Sequence, residues 1–326
     1  MAGRRTAIVI LVVLVLIAAT VGYGVIAVDR PQIESVDNEW GTVTADRTEV
    51  ETQIDVDNPL LLRVGDATAN VSYTISANDI VLASEQNNRV RLAGGESTVS
   101  VSTMIDNDQL PAWWASHINE NETTEVRIEP DVTVDYAGLR LPADRWTHDR
   151  TVETDLLEPL QTNRSQQIQA SDRTLFVVEE TDAQWGNATT NSTPIQAEAT
   201  VTNPTDIRVP ITEIGYTIRL NDIVVGDGIA AEQAVIEPNS TRSIEATAAM
   251  DTAALDEWWV THLQNDETST LSVEFTATLE YAGIQREVPL DVLSYDRTFE
   301  TDILDEHSRE AFAAGSPTPP ANDARS

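Results

Sequence analysis

The chain has 326 residues, 54 of them acidic and 20 basic, for a formal net charge of −34, and it contains no cysteine. Without cysteine there are no disulfides, thiolate metal sites or cysteine nucleophiles. The charge has the wrong sign for a phosphate backbone, so nucleic acid is not an expected partner. Every basic residue is arginine. Such an acid excess strains a compact fold by self-repulsion unless near-molar salt, with a Debye length of about 3 Å, screens it. The composition is therefore that expected of a salt-loving, haloarchaeal-type source.

The first predicted element, within residues 1–30, is a transmembrane anchor. Residues 6–28 carry no charge, and as a helix they span about 35 Å, against a hydrocarbon core of about 30 Å. Arg4 and Arg5 precede the run, and Asp29, Glu34 and Asp37 follow it. The positive-inside tendency puts the N-terminus in the cytoplasm and everything after Val28 outside, as a single-pass protein of the cell membrane. A cleaved signal peptide is the rival reading, but the run is long for one and has no clear A-x-A site. A twin-arginine signal would rest on Arg4-Arg5 alone. Asn-x-Ser/Thr sequons at Asn70, Asn121, Asn163, Asn187, Asn191 and Asn239 are compatible with an exterior location.

Beyond the anchor the chain repeats itself. Leu110-x-x-Trp113-Trp114-x-x-His117-Ile118 returns as Leu255-x-x-Trp258-Trp259-x-x-His262-Leu263. Trp40-Gly41 returns as Trp185-Gly186, Asn58-Pro59 as Asn203-Pro204, and Tyr136-Ala137-Gly138 as Tyr281-Ala282-Gly283. A period near 145 residues is too long for a solenoid unit, so each copy is expected to be a domain with its own core. The boundaries are placed at 31–160 and 171–305, with a polar linker over 158–171 and a disordered tail at 306–326.

Within a copy most segments read as strands. Val50, Thr52, Ile54 and Val56 alternate with acidic and polar residues, as do Ile195, Ala197, Ala199 and Val201, which is the period of a half-buried strand. Asn58-Pro59 and Asn203-Pro204 end these runs. A hairpin follows, with Tyr73 before the turn at Asn78-Asp79 and Tyr216 before Asn221-Asp222. A long strand then runs from Val126 to Tyr136, and again from Leu271 to Tyr281, with Gly138 and Gly283 marking the next turn. Roughly seven short strands per copy point to a mainly β fold, two tandem immunoglobulin- or fibronectin-III-like antiparallel sandwiches. The exception is the tryptophan segment, whose i, i+3, i+4, i+7, i+8 spacing predicts one short helix per copy, laid on the sheet. Asp108 is the candidate cap in the first copy, while Asp251, which aligns with Asp106, shifts the cap by a residue or two in the second.

Each chemical reading has a plainer rival. Trp113-Trp114 and Trp258-Trp259 form either a ligand platform or a packing stripe, and Leu and Ile on the same face favour packing. His117 and His262 have no repeated nucleophile beside them in sequence, so a core or surface role is expected rather than acid–base chemistry. Asp55-x-Asp57-Asn58 and Asp106-Asn107-Asp108 look like calcium-loop fragments, but Ala199, Thr202 and Ala253 stand near those positions in the second copy. Asp149-Arg150-Thr151-x-Glu153, repeated at Asp296-Arg297-Thr298-x-Glu300, is read as an edge strand. No catalytic, metal or cofactor residue is assigned.

The strand ending in Val56-x-Asn58-Pro59, Tyr73-x-Ile75, the Trp113-Trp114 helix and the strand from Val126 to Tyr136, repeated from Val201 to Tyr281, carry a family resemblance. Together they resemble the late-embryogenesis-abundant (LEA) type 2 family, also called the water-stress and hypersensitive-response (WHy) domain. The resemblance implies a sandwich with one helix, no catalytic residues, and a role in desiccation or osmotic stress. The turn lacks the family's frequent glycine, and the tandem arrangement adds a copy that single-domain relatives do not explain.

The expected function is thus non-enzymatic: a membrane-anchored protein protecting or binding proteins or envelope components under water stress. Its partners would be the membrane, through one helix, and protein clients or envelope components, with no small-molecule substrate and no cofactor. The competing class is a cell-surface interaction module, an adhesin or accessory subunit of a membrane complex. An enzyme ranks third.

Overall fold

The computed structural model describes residues 32–58, 67–92, 95–136, 139–142, 148–170, 173–281, 283–291 and 293–301. The anchor expected within residues 1–30, Pro59, Gly138 and the tail at 306–326 lie outside them. No helix among the described residues is long and apolar enough to cross a membrane.

The described chain is mainly β, with antiparallel sheets and two short helices. In the first copy, β1 (Gln32–Val43), β2 (Arg47–Asn58) and β5 (Gly95–Asp106) make one sheet in that order. The second sheet has the order β4 (Ile80–Leu92), β3 (Ala67–Ala77), β6 (Thr123–Tyr136), β7 (Leu139–Pro142), and β8 (His148–Glu153) also pairs with β6. The second copy repeats this plan. One sheet runs β14 (Ser240–Asp251), β11 (Ser192–Asn203), β10 (Arg173–Trp185), β9 (Gln166–Ala170). The other runs β13 (Ile223–Ile236), β12 (Val209–Leu220), β15 (Thr268–Tyr281), β16 (Ile284–Pro289), with β17 (Tyr295–Glu300) also on β15. Each sheet draws its strands from one copy only.

Local chemistry explains the turns. Asn78 and Asp79 have φ of 48° and 65°, and Asn221 has φ of 54°, the left-handed backbone that Asn and Asp tolerate. Asn221 also ties its hairpin to the next strand: its Oδ1 accepts from Thr270 N at 3.0 Å, and its Nδ2 donates to Thr261 Oγ1 at 2.8 Å. Gly283, at φ 77°, turns β15 into β16. Asn203 is wholly buried, donates to Ile207 O and Ile236 O, and accepts from Thr205 N, so it closes the turn after β11 from the inside. The repeated Asp-Arg-Thr segments are edge strands, β8 and β17, as expected.

Three expectations are corrected. The linker read over 158–171 is largely structured: Leu160 is buried, and β9 pairs along β10, because Leu160 and Ile168 find apolar surface to cover. Asp108 does not cap the α-helix, whose N-cap Gln109 makes no side-chain capping bond; the capping carboxylate is Asp106, one turn earlier. A 3-10 turn (Asn107–Gln109) precedes the α-helix, and Asp106 accepts from Asp108 N at 3.2 Å, as Asp251 accepts from Ala253 N at 3.0 Å. Finally, the cores are not wholly separate. The second copy has its own apolar cluster around Phe176, Val178, Val201, Ile211 and Ile236. A larger cluster joins Leu110, Trp114 and Ile118 of the first copy to Ile218, Leu255, Trp258 and Trp259 of the second.

Acidic residues are stacked on an outer face. Asp182 pairs with Glu198 and Glu198 with Glu245, all exposed, giving a row of three carboxylates across three strands. Like charges directly opposed on a sheet destabilise it unless screened.

Candidate functional site

The feature that both copies build with the same residues lies where their helices meet. α1 (Leu110–Asn119) and α2 (Leu255–Gln264) bury the expected stripe, Leu110, Trp114, His117 and Ile118 in one, Leu255, Trp258, Trp259, His262 and Leu263 in the other. The indoles stack edge to face across the two helices, with Trp114 and Trp258 centroids 6.2 Å apart and Trp113 and Trp259 centroids 6.4 Å apart. That geometry favours the positive ring edge over the negative face.

The two tryptophans of each pair do different work. The first stays at home: Trp113 Nε1 donates to Thr124 Oγ1 at 3.1 Å, and Trp258 Nε1 to Ser269 Oγ at 2.8 Å, each on the long strand of its own copy. The second crosses over. Trp114 Nε1 donates to Thr193 Oγ1 of the second copy at 3.1 Å, and Trp259 Nε1 to Thr48 Oγ1 of the first at 3.0 Å. Thr48 and Thr193 are equivalent positions, both fully buried. Reciprocal contacts of this kind define a two-fold, self-complementary interface, here realised within one chain.

A second reciprocal pair flanks the first. Trp40 Nε1 on β1 donates to Glu267 Oε1 of the second copy at 2.8 Å, and Trp185 Nε1 on β10 donates to Glu122 Oε1 of the first. Glu122 and Glu267 are 7% and 6% exposed, at the turn after each helix, where φ is 55° and 57°. The positive φ swings each carboxylate back under its helix toward the other copy.

Buried histidines link the two pairs. In the second copy, Ser269 Oγ accepts from Trp258 and so gives its own proton to His262 Nδ1 at 2.8 Å. The other ring nitrogen, Nε2, then donates to Thr301 Oγ1 at 2.8 Å, and Thr301 donates to Glu267 Oε2 at 3.2 Å. The first copy repeats the chain through Thr124, His117, Thr154 and Glu122. The tautomer follows from the direction of the flanking donors. Burial pushes both imidazoles down to about 4, with a partial offset at His117 from the Thr123 backbone. Both are therefore neutral above pH 5.

This set superficially resembles a nucleophile–base–acid constellation. Ser269 is 1% exposed and His262 wholly buried, however, and the Ser269 hydroxyl already serves Trp258 and His262. A substrate does not reach it without separating the copies. What the arrangement does is satisfy six indole N–H groups and two buried carboxylates at once.

Of the other motif residues, Tyr216 bridges the two sheets of its copy, its hydroxyl donating to Ala249 O at 3.2 Å and accepting from Ala249 N at 3.1 Å. Tyr73 lies in β3, Tyr136 in β6 and Tyr281 in β15, Asn58 ends β2, and Pro204 begins the loop after β11. Sequence reasoning missed Thr48, Thr193, Glu122 and Glu267 as members of the constellation. The one available signal was that all four recur at the offset of the tryptophans.

Comparison with known proteins reaches the second copy. The late embryogenesis abundant protein family matches residues 198–292, from the middle of β11 to just past β16. No curated protein matches the chain. Among solved structures, a protein from Archaeoglobus fulgidus is 28% identical over 39% of this chain and 99% of its own, with a TM-score of 0.36. A protein from Arabidopsis thaliana is 16% identical over 40% of this chain and 87% of its own, with a TM-score of 0.30. A β-glucuronidase from Bacteroides uniformis is 8% identical, covering 78% of this chain and 26% of its own, with a TM-score of 0.25.

Proposed function

We propose that this chain is a non-enzymatic, membrane-anchored exterior protein of two tandem LEA type 2 (WHy) domains, which protects proteins or envelope components during desiccation or osmotic stress. The observation that carries the reading is the late-embryogenesis-abundant match over residues 198–292. The repeat extends it to the first copy, since the helix stripe, the crossing tryptophans and the Trp–Glu pairs are common to both. The acidic row holds water and counterions at the surface, while the relays keep the six indole N–H groups of the described residues bonded without recourse to solvent. A fold of this kind loses little when water is withdrawn.

The test is to dry a labile enzyme with and without the full chain at molar salt and measure recovered activity after rehydration. Protection at sub-stoichiometric to equimolar chain, above that given by an equal mass of an unrelated acidic protein, supports the reading. No excess protection, together with recovery of one stoichiometric partner from envelope extracts at high salt, transfers the chain to the class of cell-surface interaction modules.

A further inference from the structure

The interior of the second copy is incompletely filled. Between its two sheets lies a cavity of about 120 Å³, lined by apolar side chains that include Phe176, Val201, Ile244 and Leu290. Four alanines, Ala197, Ala199, Ala246 and Ala277, also line it. Ala197 and Ala199 lie on the face of β11 that carries the buried Ile195 and Val201, yet they are only half-buried, because they border space rather than neighbours.

The alanines are peculiar to this copy. Ala197 pairs with Ala246 and Ala199 with Ile244, as Thr52 pairs with Val101 and Ile54 with Val99 in the first copy. Ala277 pairs with Ile214 as Val132 pairs with Val71. Where the second copy has Ala197, Ala199, Ala246 and Ala277, the first therefore has Thr52, Ile54, Val101 and Val132. Packed interiors rarely tolerate voids, and each missing methylene costs stability. Four lining positions are thus smaller than in the first copy, while Ile214, Ile244 and Phe275 are larger than their counterparts Val71, Val99 and Pro130.

One polar atom at the cavity wall lacks a partner. Gln166 lines the cavity, and its Oε1 is the sole buried side-chain oxygen or nitrogen among the described residues without a hydrogen bond. A buried acceptor left unpaired is costly, and a ligand donor would relieve it.

We propose that the second copy binds a slender, neutral aliphatic alcohol between its sheets, the chain lying against the four alanines and the hydroxyl donating to Gln166 Oε1. The lining is mostly apolar and its two carboxylates, Asp182 and Glu198, are exposed to solvent, so burying an ionised head there is far more costly than burying a hydroxyl. At this cavity size the affinity for a six-carbon chain is on the order of 1 mM. The site is independent of the stress-protection reading and survives its failure.

The test uses the full chain in molar NaCl, titrated with 1-hexanol, hexanoate and hexylammonium, following alanine and isoleucine methyl shifts. Saturable one-to-one binding of 1-hexanol, with the two ions at least about tenfold weaker, is expected. Ala199→Ile with Ala246→Val abolishes the binding while the unliganded melting temperature holds or rises. Gln166→Leu weakens hexanol several-fold and leaves hexane binding unchanged, a readout that does not depend on the filled variant folding. No saturable hexanol binding, equal binding of the ions, or undiminished binding in a folded filled variant overturns the proposal.

Discussion

Trp259 leaves its own copy to donate its indole proton to Thr48 of the other, 3.0 Å away, and Trp114 returns the gesture to Thr193 at 3.1 Å. Thr48 passes the bond on to Asn107 Oδ1 at 2.9 Å, and Thr193 shares one with Thr252 Oγ1 at 2.9 Å. The join between the copies is thus a bonded extension of each helix cap region rather than an apolar seam alone.

Removing one crossing indole should cost more than its volume. Trp259→Phe keeps the ring in the cluster and deletes the N–H that Thr48 accepts, and its expected cost is about 2–3 kcal/mol. Trp114→Phe should cost a similar amount, and the double variant should depart from additivity, because the two rings share one interface. Urea unfolding in molar NaCl measures each value.

Acid should destabilise the fold before the carboxylates titrate. His117 and His262 sit at about 4 when folded and near 6.5 when unfolded, so the unfolded chain takes up the proton first. The stability they confer is present above about pH 6.5 and is lost as pH falls toward 4, by up to about 3 kcal/mol per histidine. Denaturation midpoints between pH 7 and 4.5 should show that slope, and His262→Gln should remove about half of it.

Sequence reading recovered the strands, the Asn-centred hairpins, the helix stripe and the duplication, because periodicity reports which side chains are buried. It did not recover what buries them. Trp114 and Trp113 are adjacent on one stripe, and nothing in a 3.6-residue period says that one packs on its own sheet and the other on the neighbour's. Glu122 and Glu267 were indistinguishable from surface acids in a chain with 54 of them, although both are buried. Asp108 read as a cap because the 3-10 turn that moves the helix start to Leu110 has no apolar period of its own.

The reciprocity of the join predicts that one copy can serve as its own partner. A fragment covering residues 161–301 exposes Trp259, Thr193, Trp185 and Glu267, and a second fragment supplies their complements by two-fold symmetry. Sedimentation equilibrium in molar NaCl should find a dimer that Trp259→Ala converts to monomer.

The carboxylate row predicts a salt-dependent fold. Lowering NaCl from molar to about 0.1 M should erode the β circular-dichroism signal of residues 31–305. Glu198→Gln, which breaks the Asp182–Glu198–Glu245 row, should shift the midpoint to lower salt, by about 0.5–1 kcal/mol at low ionic strength and nothing at molar salt. A β signal unchanged across the range contradicts the electrostatic argument.

The most direct measurement is survival of a strain lacking this chain after drying and osmotic shock, complemented with the full chain or with the Trp114→Phe/Trp259→Phe variant. The account predicts that loss of the chain lowers survival, that the full chain restores it, and that the variant restores less. Survival equal to wild type without the chain, across both stresses, contradicts it.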